Sequence, residues 1–282
     1  MALRYAYNTN GCNNHRLYDA LDLIAEAGYS GIALTLDWHH LDPFADNWEI
    51  QTQKLKRRLD ELGLGSVIET GARFLLNPKQ KHEPTLINPT QEGRAYRVRF
   101  LKRAVYIAKI LESETVSFWA GVLSDDVSKE EGLSYLKEGI TEVAKYASEQ
   151  GVVISVEPEP GMLVETIADY HQLIKDIPYP IKLALDIGHV WVTGEMEPIE
   201  VIKEHAANAG TISIEGMQKG IHVHLPLNQG DMDVVGIVKK LEEMKYPNLV
   251  CVELSREGHR AHLAITESMQ FLMEIASKQI EV

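Results

Sequence analysis

Short apolar runs alternate along this chain with longer stretches whose apolar positions recur every three to four residues. The runs at 2–8, 31–36, 66–70, 115–120, 152–157, 221–225 and 249–254 read as strands, and the stretch Lys182 to Gly194 opens with another. Helical periodicity fills the gaps at 17–27, 46–62, 90–111, 128–150, 166–177, 198–209, 233–244 and 262–277. Punctuation agrees with these boundaries. Asn13, Asn14 and Asp46 are placed to cap helix starts, and Ser128 with Glu131 has the spacing of a capping box. Gly28, Gly63 and Gly151 stand where helices stop, and Pro198 stands where one begins.

Strands that alternate with helices of this length pair in parallel. A series of eight such units, with no linker-like composition between them, predicts one α/β domain over residues 1–282, a closed (β/α)8 TIM barrel. A doubly wound open sheet is the competing topology, but no glycine-rich turn follows the first strand. One connection stands out. Residues 71–89, carrying Asn77-Pro78, Glu83-Pro84 and Asn88-Pro89, are too long for a plain connector and read as a lid or substrate loop.

Composition narrows the partners. A formal net charge of -13 argues against a large nucleic-acid footprint. Arg94, Arg97, Arg99, Lys102 and Arg103 cluster on one helical stretch, and a solvated face accounts for them better than an anion site. No apolar run is long enough to cross a bilayer, and the N-terminus turns polar too early for a signal peptide, so the cytoplasm is expected. Cys12 and Cys251 suggest neither a disulfide framework nor a metal knuckle.

The chemistry gathers at strand ends, where barrels of this kind build their sites. At a side-chain period of two, Glu157 closes the inward face of the fifth strand and Asp186 that of the sixth. Asp186 could equally cap a helix, with His189 on a loop. The run IHVHL puts His222 and His224 on one face, and Glu253 ends the last strand. Buried acids without a basic partner are too costly to retain uncompensated, and a divalent cation is the simplest compensation. Three oxygen ligands and one nitrogen suit Mn, Mg, Co or Zn.

VEPEPG at Glu157, LALDIGHVW around Asp186, HVHL at His224, NQGDMD at 228–233 and VCVELS at Glu253 together resemble the xylose isomerase-like TIM-barrel family of sugar phosphate isomerases and epimerases. That resemblance implies one divalent metal ion held by Glu157, Asp186, His224 and Glu253, with His189 touching substrate or bound water. His222, one pleat deeper, falls in the substrate-binding set as a residue backing the site. Glu159, beyond the strand, is expected at the surface or in a lid. Family epimerases commonly place an arginine just after the histidine strand, whereas Leu225 to Asn228 contain none. Arg73 and Arg256, with His259 and Arg260, are candidates to read a carboxylate or phosphate.

The reaction implied is proton transfer next to a carbonyl of a small carbohydrate-like substrate. The metal stabilises an enediolate while Glu157 and Glu253 act as catalytic acid and base from opposite sides. A lyase of the inosose or keto-acid dehydratase type, and a non-catalytic metabolite-binding barrel, are the alternatives. Endonuclease IV-like activity is disfavoured, because Asp231-Met232-Asp233 stands where an Asp-x-His pair would be wanted and Glu69 where a histidine would. The family resemblance also implies a homo-oligomer, a dimer or tetramer.

Overall fold

A computed structural model describes residues 2–277. Met1 and residues 278–282, which the single-domain reading also covered, lie outside the described residues. The strands are β1 (Arg4–Asn8), β2 (Gly31–Thr35), β3 (Gly65–Glu69), β4 (Val116–Trp119), β5 (Ile154–Glu157), β6 (Lys182–Asp186), β7 (Ala209–Ile214), β8 (Gly216–Gln218), β9 (Ile221–Leu225) and β10 (Leu249–Val252). Eight of them close a parallel barrel in the order β1-β10-β7-β6-β5-β4-β3-β2, while β8 and β9 form a separate antiparallel pair. The helices are α1 (Leu17–Glu26), α2 (Trp48–Leu62), α3 (Gln91–Leu111), α4 (Lys129–Gln150), α5 (Ile167–Ile174), α6 (Ile187–Thr193), α7 (Pro198–His205), α8 (Val234–Glu243) and α9 (Ala261–Ser277).

The (β/α)8 TIM barrel expected from the alternation is therefore present, with one correction. The seventh barrel strand is not IHVHL but β7, Ala209–Ile214, part of which the sequence reading gave to a helix. Burial does not explain the miss, since β2, β4, β5 and β10 are as fully buried as β7. The helical pattern runs on to Ala209 in the sequence, and the partly exposed β9, whose His222 and His224 mark it clearly, takes the seventh place. Gly216 lets the end of β9 pack closely against the start of β8, since a Cβ there would stand 2.1 Å from the Pro226 carbonyl oxygen.

Two caps also differ. Asp46 does not cap α2, whose N-cap is Asn47 without a side-chain bond, and α1 starts after Arg16. The 3-10 turn Thr9–Cys12 intervenes instead, capped by the Asn8 side chain. The capping box at Ser128 and Glu131 is present.

Small residues fill the barrel interior. Ala6, Ala33, Val67, Leu249 and Cys251 form one buried cluster, separate from the larger core between strands and helices. Register carries the same inward parity one pleat further, to Thr35 beside Glu69 and to Trp119 beside Glu157, with Asp186 beside Ser213. The barrel thus changes from apolar to strongly polar at its C-terminal end.

The basic stretch on α3 divides. Arg94 lies 3.7 Å over the Tyr135 ring, Arg103 lies 3.9 Å over Trp48, and Lys102 pairs with Glu142 at 2.6 Å. Arg97 points the other way and is buried. It donates to the Thr70 carbonyl at 2.8 Å and packs 4.7 Å from the Trp119 ring.

Candidate metal centre

Four neighbouring strands of the closed barrel bring acids to one mouth: Glu157 ends β5, Asp186 ends β6, Glu215 follows β7 and Glu253 follows β10. Glu69 ends β3 in the same layer. Sequence reasoning expected a histidine from the seventh strand and missed Glu215. The signal was ISIEG, an apolar run ending in an acid like the others, hidden by the louder IHVHL downstream.

Glu215 is wholly buried, and neither of its carboxylate oxygens has a hydrogen-bond partner. Burial, then Asp186 and Glu253, hold its carboxyl well above the usual range. A Cβ on Gly188 would lie 1.8 Å from Glu215 Oε1, so only glycine at the start of α6 leaves room for this acid.

Asp186 does two jobs with two oxygens. Oδ1 caps α6, accepting from the His189 backbone N–H at 2.9 Å, while Oδ2 is buried and unpartnered. Burial would raise this carboxyl, but His189 and His224 beside it bring it below its ordinary value. His189 Nδ1 lies 3.1 Å from the Pro158 carbonyl oxygen, which can only accept. That contact places a proton on Nδ1, while Nε2, buried without a hydrogen-bond partner, faces Asp186 Oδ2 at 3.7 Å. Burial would lower this imidazole, but Asp186, Glu159 and Glu253 around it raise it above its ordinary value.

His222 and His224 reach the same space from β9. Ring centroids lie 4.7 Å apart for His189 and His222, 5.4 Å for His222 and His224, and 6.1 Å for His189 and His224. His224 Nδ1 is buried without a partner. Burial, then His189 and His224, push His222 down to about 4. Glu159 is not the surface residue expected. It faces His222 Nε2 at 3.9 Å and His189 Nδ1 at 3.9 Å, and burial raises its carboxyl. Glu157 is buried and held well above the carboxylate range by burial, then Glu159 and Glu69.

Three sets of ligand atoms fall within 4.8 Å of one another among the described residues: Asp186, Glu215 and His224; Glu157, Glu159 and His189; and His189, His222 and His224. The expected quartet is divided between them. Asp186 and His224 share one set, Glu157 belongs to another, and Glu253 joins none, being held by Asn10 Nδ2 at 2.8 Å. Unpartnered buried oxygens and imidazole nitrogens facing one another fit a divalent cation, because each lacks the donor or acceptor that burial ordinarily demands.

This group of side chains borders a cavity of about 530 Å3, although Asp186 and Glu215 are not on its wall. Glu69, Glu157, Glu159, His189, His222, His224 and Glu253 face it, and Arg73 and Arg256 stand on its wall. Arg260 does not. It pairs with Glu257 at 2.9 Å and Glu267 at 2.8 Å, outside the cavity, and His259 is not on the wall either. The 71–89 loop contributes Arg73, Lys81 and His82.

The family model for the xylose isomerase-like TIM barrel matches residues 21–275. The chain is a member of that family. Three solved structures of the same shape illustrate the family's range. One is a D-tagatose 3-epimerase-like protein, 18% identical, TM-score 0.76, with 99% of this chain and 100% of that one covered. Another is the IolI protein with a binding zinc atom, 19% identical, TM-score 0.76, covering 98% and 99%. A third is the 3-keto-D-glucoside 4-epimerase YcjR of E. coli, 14% identical, TM-score 0.76, covering 96% and 99%. No protein with a curated description matches the chain in sequence. No helix among the described residues is long and apolar enough to cross a membrane.

Proposed function

We propose that this xylose isomerase-like barrel is a divalent-metal-dependent isomerase or epimerase of a small polyhydroxylated carbonyl compound. The observation that carries the reading is the convergence of Asp186, Glu215 and His224 at the barrel mouth, each with a buried ligand atom lacking a partner. These three residues hold the metal. The bound cation supplies Lewis acidity toward a carbonyl and its neighbouring hydroxyl. The zinc atom in the IolI neighbour supports a metal in this barrel type.

The remaining residues handle protons and orientation. Glu157 and Glu253 approach the cavity from β5 and β10, strands separated in the barrel by β6 and β7. One accepts the proton from the carbon beside the carbonyl and the other returns it. A carboxyl held above its usual range, as Glu157 is, is a stronger base near neutral pH. His189, fixed by the Pro158 carbonyl, presents Nε2 to a substrate hydroxyl. Asn10 keeps Glu253 oriented through its 2.8 Å contact.

The test is to load the full chain with Mn and incubate it in D2O with a panel of ketoses, aldoses and inososes. Deuterium entering the carbon beside the carbonyl, read by NMR, is expected for the true substrate class. Loss of water without deuterium retention in a remaining substrate pool would point instead to a lyase. Metal-loaded protein that exchanges no proton on any member would remove the proposal.

A further inference from the structure

The cavity is polarised. Its floor is carboxylate-rich, while its rim carries Arg73, Lys81 and Arg256. Among the described residues, none of these three cations has a carboxylate within 4 Å, so their charge is free to act on whatever enters a cavity whose floor is acidic.

Arg73 is built into place. Ala72 and Arg73 both hold left-handed backbone, at φ 59° and 31°, which side chains other than glycine rarely adopt. His82 clasps this bend, its backbone N–H donating to the Arg73 carbonyl at 2.5 Å and its ring meeting the Gly71 carbonyl. The His82 ring packs edge-on to Trp119 at 5.2 Å, and Trp119 rests on buried Arg97. One guanidinium nitrogen of Arg73 donates to the Asn10 carbonyl at 2.9 Å, which leaves the other donors of the fork for a ligand. Strain of this kind persists where surrounding contacts enforce it, commonly at ligand-binding positions.

We propose that the substrate carries an oxyanion, a carboxylate or phosphate, read at the rim by Arg73, Lys81 and Arg256 while its carbonyl end faces the acids below. The inference rests on the isomerase or epimerase reading for which end reacts, but not for binding. A neutral sugar would gain only single hydrogen bonds from three cations, whereas a planar guanidinium matches an oxyanion by paired, charge-assisted ones. The rim charges also offset the repulsion that the acidic floor exerts on an entering anion.

Calorimetric binding to the Mn-loaded full chain tests this, with gluconate against glucitol and glucose 6-phosphate against glucose. At least one anion should bind about tenfold or more tighter than its neutral counterpart, and the preference should shrink as salt is raised. Gluconate preference identifies a carboxylate, and glucose 6-phosphate preference a phosphate. Arg256→Gln and Lys81→Gln, on exposed side chains, and Arg73→Gln should each reduce anion affinity while leaving neutral binding and Mn affinity unchanged. Equal binding of anions and neutral sugars, no binding of either anion, or variants that retain full anion preference would overturn the proposal. Anion preference without proton exchange on any substrate would leave it standing and sink the isomerase or epimerase reading instead.

Discussion

Replacing Glu215 by glutamine should reverse its effect on stability when metal is added. Without metal, this wholly buried carboxyl has no partner and is pushed well above the carboxylate range by burial, then Asp186 and Glu253. An acid whose folded pKa is raised destabilises the fold as pH climbs from the unfolded value through the folded one. At pH 8 the neutral isostere relieves that penalty. Taking about 2 kcal/mol for the relief, and an unfolding entropy of about 0.6 kcal/mol/K for a domain of this size, metal-stripped Glu215→Gln should melt about 3 °C higher than wild type. With Mn at a thousand times its dissociation constant, wild type gains about 4 kcal/mol, or about 7 °C. A variant weakened about a hundredfold by loss of a ligand gains only about 1.4 kcal/mol, or about 2 °C. The curves therefore cross: the variant is the more stable protein after EDTA and dialysis, and wild type is the more stable one in Mn. Scanning calorimetry on both states reads this directly, with metal content measured in parallel. A variant that is less stable in both states and takes up Mn like wild type would refute the assignment of Glu215.

Other expectations concern different parts of the molecule. Glu157→Gln and Glu253→Gln should each lower turnover at least about a hundredfold with little change in Mn affinity, measured by the deuterium exchange described above; near-normal exchange in both would exclude them as the proton-transfer pair. Gly188→Ala places a methyl 1.8 Å from Glu215 Oε1. Helix propensity alone predicts a gain of about 1 kcal/mol in α6. The clash predicts a loss of about 1–3 kcal/mol and weaker Mn binding, and a urea titration decides the sign. His40 and His82 are held down to about 4, chiefly by burial. Below the unfolded value of about 6.5 the unfolded chain takes up protons that the folded chain refuses, so stability falls as pH drops from about 6.5 toward about 4. The His40→Asn, His82→Asn double variant should lose less stability than wild type between pH 7 and pH 5 in paired urea titrations.

Much of this was legible in the chain itself. Glycine stops and the strand–helix alternation located every other barrel strand, because each has at least one flank of contrasting polarity. β7 escaped although β2, β4, β5 and β10 are equally buried, because the helical pattern before it runs on to Ala209 and the histidine-marked IHVHL follows closely. β9 alternates in sequence while being partly exposed along its whole length. Asp186 caps α6 through Oδ1 and leaves Oδ2 unpartnered within a group of side chains that could hold an ion, so two readings that appeared exclusive in the sequence are compatible through its separate oxygens. Glu159 was assigned to the surface because it follows the strand, but the turn after Pro158 folds it back over His189. Which arginines face inward could not be read from spacing. Arg97, Arg99 and Arg103 share one helix, and only the packing of α3 on Trp119 distinguishes the buried one.

The paired strands β8 and β9 take no part in barrel closure, yet they deliver His222 and His224 to the mouth. Assembly of the scaffold and completion of the reactive centre are therefore separable. Chain changes in this insert can retune what the mouth recognises while the staves beneath stay joined, and a protein that has lost its chemistry here would still be expected to fold.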